Sequence, residues 1–463
     1  MKKSNELFRD LIGNLKEKKV VIWGLGLNFG GLEATKFFAQ IKGTKVLVLD
    51  SKKPQDLKES VDKLKKYKNV RFILGRNQEK KDFKGADIII KNHAIYWQNN
   101  LVKELKKEGY RIETDITLFF RFFRGKIVGV TGSKGKTTTT TLIGKFLKAG
   151  GKDVLLGGNI RVSLFSFFKS KFLENQNKIA VLELSSFQLE DLLYIRRSPE
   201  ISVITNILRD HLNRYGTLEK YFNAKKNIYA FQKKGDYLIL NKNDKRLEKI
   251  KDKKLPSTII RVSGEEKAGF KIKNPLFKRP FNRQSLNISM VVSGDVFKIS
   301  KKTLKKTIES FKGVPYRLEK IAVVEGIEFY NDTTATIPDA TIGSLQNFNQ
   351  KVILISGGSD KNLKFDEFGK EVAKKAKKVI LLPGNITTVI KKSIKKYSSH
   401  LSCKEVKNMR EGVLEACKNA KKGDIILLSP GCTSFGLFKN EFDRGDQFNE
   451  IVNELKSYQR IFK

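Results

Sequence analysis

Six consecutive residues, Gly132-Ser133-Lys134-Gly135-Lys136-Thr137, constrain this chain more than any other stretch. The apolar run Ile127-Val128-Gly129-Val130 precedes them, and 138–147 reads as a helix. A strand, a glycine-rich turn and a helix N-terminus in that order make a phosphate cradle. Glycines let backbone N–H groups close on phosphate oxygens, and the helix dipole favours the anion. In such a loop Lys136 reaches the outer phosphates and the Thr137 hydroxyl sits on Mg²⁺. Gly132, Ser133, Lys134, Gly135 and Thr138 complete the candidate ATP-binding stretch. A full Walker loop carries a glycine five residues before Gly135. That position is Val130, so the loop is a shortened variant.

A chain of 463 residues predicts about three domains. Lys19–Trp23 reads as a buried strand, Gly24-Leu25-Gly26 as a turn, and 32–41 as a helix. Strands at 45–49, ending in Asp50, at 70–74 and at 86–90 continue an α/β alternation with a parallel sheet. Phe29 stands where a dinucleotide fingerprint needs its third glycine, and Gly30 and Gly31 come late, so no nicotinamide cofactor is expected. A second block carries the phosphate loop and strands at 179–184 and 201–204. Its 240–281 stretch is lysine-rich and broken by Pro256 and Gly264. A third has strands at 351–356, 378–382 and 424–428, each ending in a turn of small residues, as at the ligand edge of a doubly wound sheet. The expected architecture is α/β in three domains: Rossmann-like over 1–112, a P-loop domain over 113–313, and Rossmann-like again over 314–463.

The charge balance, 92 basic against 49 acidic residues, raises nucleic-acid or anionic-membrane binding. The lysines are spread along the whole chain, however, rather than gathered in one tail or helix. No aromatic-interleaved surface suits a nucleic-acid strand. A basic nucleic-acid-stimulated ATPase is therefore the rival reading of a different class; it predicts affinity that falls steeply with salt. No run approaches the ~20 apolar residues of a membrane span, and the amphipathic 7–15 stretch lacks the apolar segment of a signal peptide. Cys403, Cys417 and Cys432 form no CxxC pair, which fits a reducing compartment. A cytoplasmic protein, with neither nucleic acid nor membrane insertion, is expected.

Two further strand ends carry chemistry. Val181-Leu182-Glu183-Leu184-Ser185-Ser186-Phe187-Gln188 ends a strand with a carboxylate that can coordinate Mg²⁺ beside the loop threonine. Asp210-His211 follows another buried strand and suits a metal or phosphate group, or equally a capping Asp beside a surface His. The other histidines, His93 and His400, have no comparable setting in the sequence.

These motifs, in this order, resemble those of the Mur ligases, and most closely the D-glutamate-adding members. The resemblance rests on Thr131–Thr138, on Gly157-Gly158-Asn159-Ile160, and on 182–190, reading LELSSFQLE. It continues through Asn206–Tyr215, Asn331-Asp332-Thr333-Thr334-Ala335-Thr336, and Ser429–Phe435 with Arg444-Gly445 and Phe448. It implies ATP with two Mg²⁺ ions, and UDP-N-acetylmuramoyl-L-alanine and D-glutamate as substrates of a monomeric enzyme. Lys136 would hold the ATP phosphates, and Thr137 and Glu183 the first metal. Lys225, carried as a carbamate in the family, would join His211 on the second; read from the residues alone it is a solvated helix lysine. Asn287 and Arg317 would contact adenine and phosphates, and Asp332 the ribose. Leu27, Asn28, Asp50, Ser51 and Lys52 match the uridine-diphosphate edge, while Asn159, Ser185 and Gln188 would face the muramoyl end. Thr336, Lys361, Ser434 and Phe442 complete the substrate contacts, with Lys361 pairing the D-glutamate side chain. The carboxylate would be activated as an acyl phosphate before amine attack, with the third domain closing over ATP.

The chain departs from the family at several points. Thr334 stands where a lysine is usual, and Tyr316 replaces a histidine before Arg317. Arg283-Gln284 replaces a His-Asn pair, Asn92-His93-Ala94 a Ser-Pro-Gly turn, and Glu441-Phe442 reverses an aromatic–acid order. Another amino-acid ligase of the superfamily is the nearer alternative.

Overall fold

The structure, a computed structural model, describes residues 17–26, 30–160, 162–250, 255–265, 269–278, 280–359, 363–434 and 436–461. The 7–15 stretch and the candidates Leu27, Asn28 and Lys361 lie outside the described residues. Two compact units form: one runs to Leu208 and takes in Glu219–Phe311, the other comprises Arg209–Leu218 and the chain from Lys312 onward.

The first unit holds two parallel sheets. In the first, β1 (Lys19–Trp23), β2 (Lys45–Asp50), β3 (Val70–Leu74), β4 (Ile88–Lys91) and β5 (Ile112–Glu113) lie in the order β3-β2-β1-β4-β5. β1 is central, and its Val-Val-Ile run is buried on both faces, as parallel strands covered by helices require. Helix α1 (Gly30–Ala39) starts two residues before the predicted position. Gly31 explains this: a Cβ there would lie 2.5 Å from the carbonyl oxygens of Gly24 and Leu25. The close helix–turn approach that the fingerprint's third glycine allows is made by Gly31.

The second sheet contains β6 (Lys126–Thr131), β7 (Val154–Gly158), β8 (Ile179–Glu183), β9 (Ile201–Ile204), β10 (Tyr237–Asn241) and β11 (Thr258–Val262). Its order is β11-β10-β9-β6-β8-β7, all parallel. β6 therefore sits between β8 and β9, so the loop after it is flanked by the ends of both. β11 lies inside the lysine-rich stretch, where its Thr-Ile-Ile-Arg-Val pattern is hidden by the surrounding charge.

In the second unit, β12 (Glu319–Val324), β13 (Ile327–Asn331), β14 (Val352–Ser356), β15 (Ala376–Leu381), β16 (Cys403–Glu405) and β17 (Ile425–Leu428) lie in the order β12-β13-β17-β14-β15-β16. Leu354, Val379 and Leu427 feed one hydrophobic layer, and Ile353, Ile355, Ile380 and Ile426 the other, as period-two alternation demands. β12 alone is antiparallel, and neither it nor β13 is among the strands read from the sequence. Glu325 and Gly326 join it to β13 with φ of +51° and +76°, the two left-handed residues of a tight hairpin turn.

Candidate active site

The loop after β6 is built by two glycines and tied down by the segment after β9. Gly132 has φ +145°, and a Cβ on it would lie 2.0 Å from Thr205 Oγ1. Gly135, at φ +79°, precedes helix α2 (Lys136–Ala149). The Ser133 N–H donates to the Asn206 carbonyl at 2.9 Å, and the Lys134 N–H to Asn206 Oδ1 at 2.8 Å. Asn206 Nδ2 and the Thr205 hydroxyl donate back to the Lys134 carbonyl at 2.9 and 2.6 Å. Ser133 Oγ accepts the Leu208 N–H at 2.9 Å. Lys136 Nζ curls over the loop and donates to the Gly132 and Ser133 carbonyls, both at 3.0 Å. Thr138 is buried in the first turn of α2.

Beside the loop, β8 delivers Glu183, 1% exposed. The Thr137 hydroxyl donates to Glu183 Oε2 at 2.5 Å, and Asn159 Nδ2 to Oε1 at 3.1 Å. A hydroxyl and a carboxylate converging at a helix N-terminus fit Mg²⁺, which takes one or two protein oxygens and keeps its remaining waters. Lys225, on helix α3 (Leu218–Lys226), is also 1% exposed. Its ammonium donates to Thr131 Oγ1 at 3.2 Å and lies 4.6 Å from the Tyr221 ring centroid. The Tyr221 hydroxyl in turn is 3.3 Å from Ser133 Oγ. The solvated-lysine reading of Lys225 does not hold; its amine is enclosed at the loop's edge. Thr131, named only within its motif, and Tyr221, which the sequence does not single out, connect it to the loop. Among the described residues no group of three or more His, Cys, Asp or Glu side chains is disposed to hold a metal.

His211 lies on the segment that groups with the second unit. Its backbone is left-handed, φ +53°, its N–H donates to Asp210 Oδ1 at 2.9 Å, and its Nε2 is 3.7 Å from Asp210 Oδ2.

Several other candidates serve the backbone. Asp50 Oδ2 accepts the Gly26 N–H at 3.0 Å and Oδ1 the Lys52 N–H at 2.9 Å, which closes the glycine turn onto β2. Ser51 and Lys52 are exposed. Ser185 caps helix α4 (Ser186–Ile195) in a reciprocal box: its Oγ accepts the Gln188 N–H at 3.2 Å, and Gln188 Oε1 accepts the Ser185 N–H at 3.0 Å. Asn287, buried on helix α5 (Pro280–Met290), donates to the Ser263 and Gly264 carbonyls at 2.9 and 3.1 Å.

In the second unit, Asp332 follows β13 and is buried. Oδ1 accepts the Leu318 N–H at 3.1 Å, and Oδ2 accepts the Ser344 and Ser429 hydroxyls at 2.5 and 2.9 Å. Thr334, at the departure from lysine, donates to the Tyr316 carbonyl at 2.8 Å. Arg317 and Thr336 are half-buried, and Ser434 is buried in the turn after β17. Phe442, in helix α6 (Glu441–Ile461), meets Tyr316 edge-on with ring centroids 5.6 Å apart. Arg444 emerges as a residue not singled out beforehand except within its motif. Fully enclosed, it donates to the Thr333 hydroxyl and carbonyl at 3.0 and 2.8 Å and to the Cys432 carbonyl at 3.3 Å. Burial pushes its pKa down to about 10.

The largest correction concerns His93. Its Nδ1 is 2.8 Å from Asp191 Oδ2 on α4, and its Nε2 is 2.9 Å from Asp115 Oδ1. Lys91 Nζ, 3.3 Å away, and Trp97 Nε1, 2.7 Å away, both donate to Asp191 Oδ1. Burial opposes a charge on His93, but the Asp115 and Asp191 carboxylates outweigh it and raise its pKa to about 10. Likewise, burial is outweighed at Asp191 by Lys91, His93 and Trp97, which hold its pKa down to about 2.

Comparison with known proteins places the chain in a family. The family model of the Mur ligase middle domain matches residues 130–308, and that of the Mur ligase, glutamate ligase domain, matches 316–432. The chain belongs to the Mur ligase family. Among its relatives is the UDP-N-acetylmuramoylalanine–D-glutamate ligase of Roseiflexus sp., 34% identical over 95% of this chain and 99% of the relative. The ligase of the same name from Borreliella burgdorferi strain ZS7 is 36% identical over 96% of this chain and 100% of the relative. A solved UDP-N-acetylmuramate-alanine ligase from Thermotoga maritima shares the fold at TM-score 0.60 and 20% identity, covering 94% of this chain and 99% of that one.

Proposed function

We infer that this chain is an ATP-dependent amide-bond-forming ligase that adds D-glutamate to UDP-N-acetylmuramoyl-L-alanine in peptidoglycan precursor synthesis. Full-length similarity to ligases of that name supports the substrates. The Thr137–Glu183 pair at the phosphate loop, with Lys136 and Lys225 beside it, is the observation that carries the chemistry.

A carboxylate is a poor electrophile, so the L-alanyl carboxylate must first be activated. Its oxygen attacks the γ-phosphorus of ATP, giving an acyl phosphate and ADP. The D-glutamate amine then attacks the acyl carbon, and the tetrahedral adduct collapses with loss of phosphate. Lys136 neutralises charge on the transferred group, and loop N–H groups hold the phosphates. Thr137 and Glu183 would hold one Mg²⁺ ion, and His211 with a carbamylated Lys225 would hold a second; the ions would supply further charge neutralisation at that group. Lys225 serves as a carbamate: its neutral amine adds to carbon dioxide, loses a proton and becomes an anion. Asn287 and Arg317 would contact adenine and phosphates, and Asp332 the ribose. Asp50, Ser51, Lys52, Asn159, Ser185 and Gln188 would contact the nucleotide sugar. Ser434, Phe442, Thr336 and Lys361 would contact D-glutamate. The enzyme works as a monomer in the cytoplasm; among the described residues no helix is long and apolar enough to cross a membrane.

The test is ADP release that requires both UDP-N-acetylmuramoyl-L-alanine and D-glutamate, run against a panel of other amino acids. Absence of D-glutamate-dependent turnover would sink the assignment, and turnover with a different amino acid would move the chain to another ligase of the superfamily. Lys225→Ala should abolish activity, and a short carboxylic acid should restore part of it.

A further inference from the structure

The buried charge cluster around His93 lies outside the phosphate-loop and metal positions, yet it joins two parts of the first unit. Lys91 is the last residue of β4, and His93 lies two residues beyond it. Asp115 opens the helix Asp115–Phe122, and Asp191 lies in the middle of α4. Lys91 and Asp191 are both almost wholly buried. An aromatic stack continues the contact. Trp97 lies on Tyr194 of α4 with centroids 3.8 Å apart. Lys91 covers the Trp97 ring at 4.2 Å, and Lys106 covers the Tyr194 ring at 4.3 Å.

Each end of this joint leads to a substrate edge. On one side, His93 follows Asn92, whose N–H donates to the Trp23 carbonyl at 2.8 Å. The Asn92 side chain fills the space beside the glycine turn: a Cβ at Gly24 would lie 2.7 Å from Asn92 Cβ, and one at Gly26 would lie 3.2 Å from Asn92 Nδ2. That turn is the one Asp50 closes. On the other side, Asp191 lies three residues, about one helical turn, beyond Gln188 and its capping partner Ser185. A continuous path of contacts thus runs from the glycine turn through Asn92, His93 and Asp191 to the start of α4.

We propose that His93 is a positioning residue that works as a fixed cation: clamped between Asp115 and Asp191, it sets the distance between the glycine turn and the start of α4 and so tunes affinity for the nucleotide sugar. The proposal rests on the substrate reading above. The groups facing the imidazole are Asp115, Asp191 and, across Asp191, Lys91; with the imidazolium itself they make two cations and two carboxylates. Removal of Asp191 leaves the buried Lys91 charge uncompensated, and removal of any other member leaves the cluster with a net charge, so the joint resists rearrangement. A histidine here is not a pH switch in the ordinary range, because its carboxylate partners hold the proton.

The chain has three histidines, so His93 can be assigned in an imidazole NMR titration by comparison with His93→Gln. In the wild-type protein the His93 ring should stay protonated through pH 9; a midpoint near 6.5 overturns the fixed-cation claim. This measurement needs no substrate, so it stands or falls apart from the ligase reading. In steady-state kinetics, His93→Gln should raise KM for UDP-N-acetylmuramoyl-L-alanine about tenfold or more. The KM for ATP and kcat should change less than about threefold. A fall in kcat at constant nucleotide-sugar KM overturns the positioning role. Asp115→Asn, which leaves Asp191 and Lys91 paired, should move the same KM in the same direction by a smaller factor. It carries the kinetic test if His93→Gln does not fold, and an unchanged KM in that variant counts against the proposal.

Discussion

The phosphate loop and the His93 joint both gather cations in one compact unit, but they hold them differently. At the loop, Lys136 is held by two backbone carbonyls, and Lys225 by a hydroxyl and an aromatic face. At the joint, Lys91 and His93 are held by carboxylates. A carboxylate at under 4 Å cancels most of a cation's charge. The first arrangement sets two amines at the loop that would take the polyphosphate; the second turns charge into rigidity. The comparison makes opposite demands on mutants of the two places. Lys136→Ala should lower kcat by about 10³-fold, on the order of 4 kcal/mol of transition-state stabilisation, and leave the urea midpoint nearly unchanged. A large loss of stability in that variant would mean that Lys136 chiefly holds the loop together.

Asp191→Asn should do the reverse. It removes a buried carboxylate shared by Lys91, His93 and Trp97, and stranding a buried cation costs about 3 kcal/mol or more of folding stability. Equilibrium urea unfolding reads the effect. A stability change below about 1 kcal/mol would show that the joint is not a clamp.

These two regions also differ in how far the sequence reveals them. The phosphate loop is legible because its strand, turn and helix are contiguous and each glycine has a local conformational reason. Glu183 is legible as a strand end that folds back beside the loop. The joint is not legible: His93 and Asp191 are separated by 98 positions, and neither sits in a motif whose spacing points to the other. Lys225 lies between these cases. Its helix can be read, but in a chain so rich in lysine nothing local marks one amine as enclosed. The β12–β13 hairpin escaped for a different reason, since its first turn residue is Glu325, a type that rarely takes a left-handed backbone. Gly31 was visible but misplaced, because a fingerprint counts positions while packing counts distance.

The joint should also leave a mark in the pH dependence of stability. The folded-state pKa of His93 is raised to about 10 from an ordinary 6.5. Its contribution is therefore complete below about pH 6.5 and is lost as pH rises through about 10. Asp191, held down to about 2 from 3.8, contributes above about pH 4 and loses that contribution as pH falls toward 2. Urea unfolding at pH 7 and pH 10 should show a smaller alkaline loss in His93→Gln than in the wild type. Equal losses would place the alkaline sensitivity elsewhere in the chain.

The smallest expected effect separates two roles at Ser185. In the fold its hydroxyl accepts the Gln188 N–H and starts α4, while Gln188 returns a carbonyl to the Ser185 N–H. As a cap alone, Ser185→Ala should cost about 1 kcal/mol of stability and leave the kinetic constants within about twofold. As a substrate contact it should raise the nucleotide-sugar KM by a larger factor. Ser185→Asn discriminates further, because Asn caps helices about as well as Ser but presents a different shape to a ligand. Restored stability with a raised KM would assign both roles to one side chain. The start of α4 would then resemble the phosphate loop more than the joint, with polar groups fixed by the backbone and still facing substrate.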